Sequence, residues 1–179
     1  YGSGAYTDGV WNGVVRDDRA KPSTLGSLVA ESLLATLSNP DRGGAEIGIV
    51  NPGGLRAELK YAKSGVETTD GVISYAEANS VLPFVNNLWT TTLTGAQLKQ
   101  VLEEQWQPDG SSRPYLALGL SKNVSYTFDP TAARNARITS IWINGKLVQP
   151  TDQIRVGAFN FLTTGGDNFL TMAKGSDAK

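Results

Sequence analysis

The sequence predicts an α+β fold, a single domain in which helices pack against a mixed β-sheet. Helical and strand-like segments follow each other irregularly along the 179 residues, with at least one β-hairpin among them, which differs from the regular repeat of a doubly wound parallel fold. The length fits one domain of roughly 100–200 residues. With 40% hydrophobic residues the chain can bury a core.

The first half of the chain is predicted to form a helix, two strands and a helical turn, in that order. Apolar residues recur at helical spacing from Thr24 to Leu37. Glu46 to Val50 has the composition of a short buried strand, and it runs into a glycine-containing loop. Val72 to Tyr75 is expected to form another strand, and Ala76 to Val81 a helical turn.

The second half of the chain is predicted to form mostly strands. Thr94 and Gln97 match a capping box, so a helix is expected to begin there and to continue to about Trp106. Asn144-Gly145 is typical of a two-residue hairpin turn. Strands are expected at Leu88–Leu93, Asn123–Phe128, Arg137–Ile143, Lys146–Val148 and Ile154–Phe159.

The composition excludes several kinds of catalyst. The chain contains neither His nor Cys, so it offers no imidazole base, thiol nucleophile, thiolate zinc site or Ser-His-Asp triad. Its net charge of −1 argues against nucleic acid and anionic membranes as partners. No stretch approaches the roughly 18 apolar residues of a membrane span. We expect no catalytic centre within this chain.

Three loops have the composition of a ligand site. Asn51–Arg56 combines two glycines with an arginine suited to phosphate or carboxylate. Leu82–Asn87 places Phe84 where it could stack on a base, and Asn160–Phe169 places a carboxylate after two glycines. Each loop alone also fits a structural explanation: a tight turn, a core-filling ring or a local cap. Together they fit a nucleotide part by part.

Four sequence blocks, in order, resemble the C-terminal domain of the 5′-nucleotidase/UDP-sugar hydrolase family. They span about residues 14 to 172. The blocks are Arg19 with Leu25-Gly26-Ser27-Leu28; Asn51-Pro52-Gly53-Gly54-Leu55-Arg56; Pro83-Phe84-Val85-Asn86 with Leu93-Thr94-Gly95; and Asn160-Phe161-Leu162 with Gly165-Gly166-Asp167-Asn168-Phe169.

The resemblance implies a role for each matching residue. Phe84 and Phe161 would sandwich the base, and Asp167 would hold the ribose hydroxyls. The asparagines Asn51 and Asn86 would contact the base or its surroundings. Three further positions are implied: a backbone contact near the base at Gly119, and phosphate-side contacts at Arg19 and Arg56.

The resemblance also implies a larger parent. Residues 1–13 would be a linker, and residues 14–179 a substrate-binding domain that is truncated at its C-terminal end. A missing N-terminal metallophosphatase domain would carry two divalent metal ions and the catalytic His-Asp pair. The present domain would bind no cofactor and would be inactive alone. The parent would be periplasmic, extracellular or attached to the cell wall.

The function expected from this resemblance is hydrolysis of nucleotides to nucleoside and phosphate by the complete protein. A parent that acts on UDP-sugars or cyclic nucleotides is an alternative. So is a parent that has lost its metal site and only captures nucleosides or nucleotides. A third alternative is a cell-surface module that keeps the fold without the pocket.

Overall fold

A computed structural model describes residues 6–7, 10–11, 17–63 and 67–179. The helices are α1 (Thr24–Leu37), α2 (Tyr75–Val81), α3 (Gly95–Glu103) and α4 (Asn160–Thr163). The strands are β1 (Tyr6–Thr7), β2 (Val10–Trp11), β3 (Ile47–Val50), β4 (Leu88–Thr94), β5 (Gly119–Leu120), β6 (Val124–Phe128), β7 (Ile138–Ile143), β8 (Lys146–Leu147) and β9 (Gln153–Phe159). The predicted linker at residues 1–13 lies outside the described residues, except for the short β1–β2 ladder.

The main sheet is mixed, as predicted. Its strand order is β4-β9-β3-β5, with β3 parallel to β9 and the other two pairs antiparallel. A second, antiparallel sheet has the order β6-β7-β8. Helices pack against these sheets, so the α+β fold class with a mixed sheet is confirmed.

Strand β3 separates two hydrophobic clusters because its side chains alternate between the two faces of the sheet. Ile47 and Ile49 join the larger cluster, which α3 and the second sheet cover. Val50 joins the smaller cluster beneath α1. At Gly48 the position of a side chain would also face α1. A methyl group there would lie only 2.0 Å from the carbonyl oxygen of Ala30. This glycine therefore lets α1 lie directly on the strand.

Most predicted elements are confirmed, with small shifts at their ends. Helix α1 spans the predicted residues, and Ser23 caps it by accepting a hydrogen bond from the Gly26 amide. Thr94 and Gln97 form the predicted capping box of α3. Asn144 and Gly145 both have positive φ angles, at 52° and 76°, as a type I′ hairpin turn requires.

Two predictions are wrong. Val72 to Tyr75 is not a strand: Ser74 and Glu77 form a capping box that starts α2 at Tyr75. No strand among the described residues pairs with this segment, so its β-forming residues gain nothing from an extended conformation. Helix α3 ends at Glu103 rather than near Trp106, which instead bridges to Tyr115.

Within the described residues, no helix is both long enough and apolar enough to span a bilayer.

Candidate functional site

The three predicted ligand loops meet at one edge of the main sheet. Strands β3 and β9 are parallel, so the loops that follow them, at Asn51 and Asn160, leave from the same edge. Strand β4 is antiparallel to β9, and Leu88 at its start pairs with Phe159 at the end of β9. The loop before β4, which carries Phe84, therefore arrives at that edge too.

An open cleft of about 250 Å³ lies between these loops. Its lining contains every predicted site residue except Gly119, together with two glycines of the first loop. The lining residues are Arg19, Asn51, Gly53, Gly54, Arg56, Phe84, Asn86, Phe161 and Asp167. Residues from four separate parts of the sequence thus form one pocket.

The two aromatic rings of the cleft are exposed, not part of the core. Phe84 is 52% exposed and Phe161 is 43% exposed. The loop of Phe84 is tied to the start of α4, which carries Phe161. The Asn160 amide donates to the Asn87 carbonyl at 2.9 Å, and the Asn87 amide donates to the Asn160 side chain at 3.0 Å. An exposed ring on a tethered loop can stack on a planar ligand.

The carboxylate of Asp167 is held in an unusual backbone position. Asp167 has a φ of 55°, a left-handed conformation in which Asp and Asn are among the better tolerated side chains. The buried Asn51 donates a hydrogen bond from its Nδ2 to Oδ2 of Asp167 at 2.7 Å. Within the described part of the chain no hydrogen bond uses Oδ1, which leaves an acceptor for a ligand.

The cleft narrows around Gly53. A methyl group on this residue would lie 3.0 Å from Nη1 of Arg19, 3.1 Å from Oδ2 of Asp167 and 3.4 Å from Nδ2 of Asn51. The first two distances are tighter than ordinary van der Waals contact. Glycine at this position therefore keeps open the space where a cation, a carboxylate and an amide converge.

The two arginines of the cleft are held differently. The exposed Arg56 lies over the ring of Phe84, with its guanidinium carbon 5.7 Å from the ring centroid, and Nη1 donates to the Gly53 carbonyl. This is the geometry of a cation–π contact. Arg19 is half-buried, and Asp17 accepts hydrogen bonds from its Nε at 2.8 Å and its Nη2 at 3.2 Å.

Asp17 lies between two arginines. Arg113 donates to its Oδ2 at 2.8 Å, on the side away from Nε of Arg19. The hydrogen bond from Arg19 is the main reason that the pKa of Asp17 lies below its ordinary value of 3.8, with Arg113 acting in the same direction and partial burial acting against it. Because Asp17 takes Nε and Nη2 of Arg19, Nη1 is the group left beside Gly53.

Because the pKa of Asp17 is lowered, this carboxylate should stabilise the fold at neutral pH and lose that effect in acid. A carboxyl group with a lowered folded-state pKa stabilises the fold above its unfolded pKa, and that contribution is lost as the pH falls through the folded pKa. We expect Asp17→Asn to flatten the decline of the melting temperature below about pH 4. Thermal unfolding of both proteins between pH 6 and pH 3 measures this, and equal pH slopes would contradict it.

Gly119 lies away from the cleft lining, on strand β5 beneath α1. A methyl group there would lie 2.6 Å from the Gly26 backbone, so glycine at this position allows α1 to approach β5. Its contact with a base stays a prediction, as do the ligand contacts of the cleft residues.

Sequence reasoning missed two residues that hold the site. One is Asp17, whose position two residues before Arg19 is a weak signal for an ion pair. The other is the buried Gln107, which donates to the Asp167 carbonyl at 3.0 Å. No sequence pattern connects two residues that lie 60 positions apart.

The described residues offer no cluster that could hold the metal ions that the resemblance implies for the parent. Among the described residues no three side chains of His, Cys, Asp or Glu come together as a metal site would require. The complete sequence has no His and no Cys.

Comparison with known proteins agrees with the fold. The sequence matches the model of the 5′-nucleotidase, C-terminal domain, over residues 4–175. It is 31% identical to the trifunctional nucleotide phosphoesterase protein YfkN of Bacillus subtilis, over 96% of this chain and 11% of that protein. It is 28% identical to protein UshA of Escherichia coli, over 90% of this chain and 26% of that protein.

A solved structure shows the same fold. The 5′-nucleotidase precursor from Thermus thermophilus superimposes with a TM-score of 0.72 and 25% sequence identity, over 90% of this chain and 30% of that chain. The present chain therefore spans less than a third of these relatives. Because the family model matches nearly the whole sequence, the chain belongs to the family of 5′-nucleotidase C-terminal domains.

Proposed function

We propose that this chain is the nucleotide-binding domain of a larger, metal-dependent phosphohydrolase that converts nucleotides to nucleoside and phosphate. One observation carries the proposal: a single cleft unites two exposed rings, a carboxylate and two guanidinium groups. These are the groups that a base, a ribose and a phosphate would need, and they come together from distant parts of the chain.

In this proposal the base stacks between Phe84 and Phe161, which lie on segments that are hydrogen-bonded to each other. Base–aromatic stacking contributes about 1–3 kcal/mol per base. Asp167 accepts hydrogen bonds from the ribose hydroxyls, as carboxylates do in dinucleotide sites. Arg19 and Arg56 face the phosphate side, where Nη1 of Arg19 and the guanidinium of Arg56 can donate charge-assisted hydrogen bonds.

The chemical step would take place on a preceding metallophosphatase domain that binds two divalent ions. This chain cannot supply their ligands among its described residues. Its contribution would be binding energy remote from the reacting phosphorus, which positions the substrate for attack. Alone, the chain would bind nucleotides without hydrolysing them, and phosphate release from AMP by the purified chain would contradict this assignment.

The parent would act outside the cytoplasm, in the periplasm, at the cell wall or in the medium. The absence of Cys is compatible with an oxidising compartment, and the family resemblance favours such a location. Fractionation of the source cells with an antibody against this chain tests the proposal, and recovery with the cytoplasmic proteins would contradict it.

The direct test is calorimetric titration of the chain with adenosine and AMP. We expect both to bind, and we expect Asp167→Asn to weaken adenosine binding by about tenfold because one charge-assisted hydrogen bond is lost. Asn tolerates the left-handed backbone at this position, so the variant should fold.

Asp41→Asn is the matched control, because Asp41 is an exposed carboxylate outside the cleft. It should bind adenosine like the unchanged protein. If neither adenosine nor AMP binds the unchanged chain, the proposed function is wrong, and the surface-module alternative is favoured.

A further inference from the structure

The carboxylate of Asp167 lies on a turn that is costly to form. Asp167 and Asn168 both have left-handed backbones, with φ angles of 55° and 63°. Two successive non-glycine residues in this region are strained, and they persist only where the surrounding structure holds them. Asn168 is exposed, so packing around its side chain does not hold the turn.

Gln107 is the residue that holds it. This side chain lies just after α3 and is 7% exposed. Its Nε2 donates to the carbonyl oxygen of Asp167 at 3.0 Å and to that of Glu104 at 2.9 Å. Its Oε1 accepts a hydrogen bond from Nδ2 of Asn168 at 2.9 Å. The Gln107 amide thus contacts both left-handed residues and connects them to the end of α3.

A second contact fixes the same segment. The carboxylate of Glu104 accepts hydrogen bonds from the amide and the hydroxyl of Thr171, the latter at 2.6 Å. The chain that carries Asp167 is therefore tied to the end of α3 at the turn and again at Thr171 after it. Asn51 meanwhile contacts the carboxylate from inside the cleft, so backbone and side chain of Asp167 have separate anchors.

We propose that Gln107 is a positioning residue, which holds the Asp167–Asn168 turn so that the Asp167 carboxylate faces the hydroxyl groups of the ligand. Gln107 does not line the cleft and contacts no ligand itself. This inference rests on the proposed function, and it concerns ligands that carry a vicinal diol. Ligands without the diol should not depend on Gln107.

The test is Gln107→Glu, which keeps the shape of the side chain but replaces two donated hydrogen bonds with repulsion between oxygens. We expect this variant to bind adenosine about tenfold more weakly, and 2′,3′-dideoxyadenosine within about twofold of the unchanged protein. A merely structural role would weaken both ligands equally. An unchanged ratio of the two affinities in the variant would overturn the proposal.

Gln105→Glu is the matched control. Gln105 is also a buried glutamine at the end of α3, but its side chain bonds to Leu102, Leu118 and Tyr126 rather than to the turn. The same change there should lower the stability of the fold and leave the affinity ratio unchanged. A control that shifts the ratio as much as Gln107→Glu would also overturn the proposal.

Two further measurements keep the test decisive. Asn168→Gly removes the bond to Oε1 of Gln107 at an exposed site and still permits a positive φ, so it should fold and shift the ratio in the same direction. Amide hydrogen exchange between Gly166 and Phe169 should accelerate in Gln107→Glu and not in Gln105→Glu, without any ligand. If the unchanged protein does not bind adenosine, the proposed function is wrong. The hydrogen-exchange measurement then still tests whether Gln107 holds the Asp167–Asn168 turn.

Discussion

Replacing Phe161 by alanine is expected to weaken adenosine binding by about ten- to a hundredfold, in line with 1–3 kcal/mol for one base–aromatic stack. The ring is 43% exposed and lines the cleft, so its loss removes ligand contact more than core packing. The backbone of Gly166 packs against the Phe161 ring, since a methyl group on Gly166 would lie 2.5 Å from Cε1 of Phe161. Calorimetric titration of both proteins gives the affinities.

Tyr75→Ala is the control for this variant. Tyr75 is 88% exposed at the start of α2 and does not line the cleft. Its loss should leave adenosine affinity unchanged. An affinity for Phe161→Ala equal to that of the control would contradict stacking on Phe161, even if Asp167→Asn behaved as expected.

Gly48→Ala should be the most destabilising of these substitutions, at about 3 kcal/mol or more of unfolding free energy. The added methyl would lie 2.0 Å from the carbonyl oxygen of Ala30 and 3.2 Å from the amide nitrogen of Leu34. Both are backbone atoms of α1, so no side chain can turn aside. The helix would have to move away from β3, and the cluster that contains Leu33 and Val50 would lose contacts.

Urea denaturation followed by circular dichroism measures this loss. Gly145→Ala is the control: Gly145 has a φ of 76° but nothing lies within 4 Å of an added methyl. This variant should lose only roughly 1–2 kcal/mol of unfolding free energy, which is the cost of placing an alanine in the left-handed conformation. If Gly48→Ala loses no more than Gly145→Ala, the close approach of α1 to β3 is wrong.

The sequence by itself determined the local elements of this protein. Helix α1 follows from apolar spacing, α3 from the Thr94–Gln97 capping box, and the β7–β8 turn from Asn144-Gly145. Each of these signals lies within one short segment, where neighbouring residues alone decide the outcome. The missing His and Cys and the four family blocks are likewise properties of the sequence.

Only the tertiary structure decided how the site is assembled. The parallel pairing of β3 with β9 joins strands that lie more than 100 residues apart, and it brings the loops of Asn51 and Asp167 to one edge. The 2.7 Å bond between those two side chains depends on that pairing. The contact of Gln107 with the turn likewise joins residues that lie 60 positions apart in the sequence. The Val72–Tyr75 segment failed as a predicted strand for the same reason. Strand formation depends on a partner, and a partner is a long-range property.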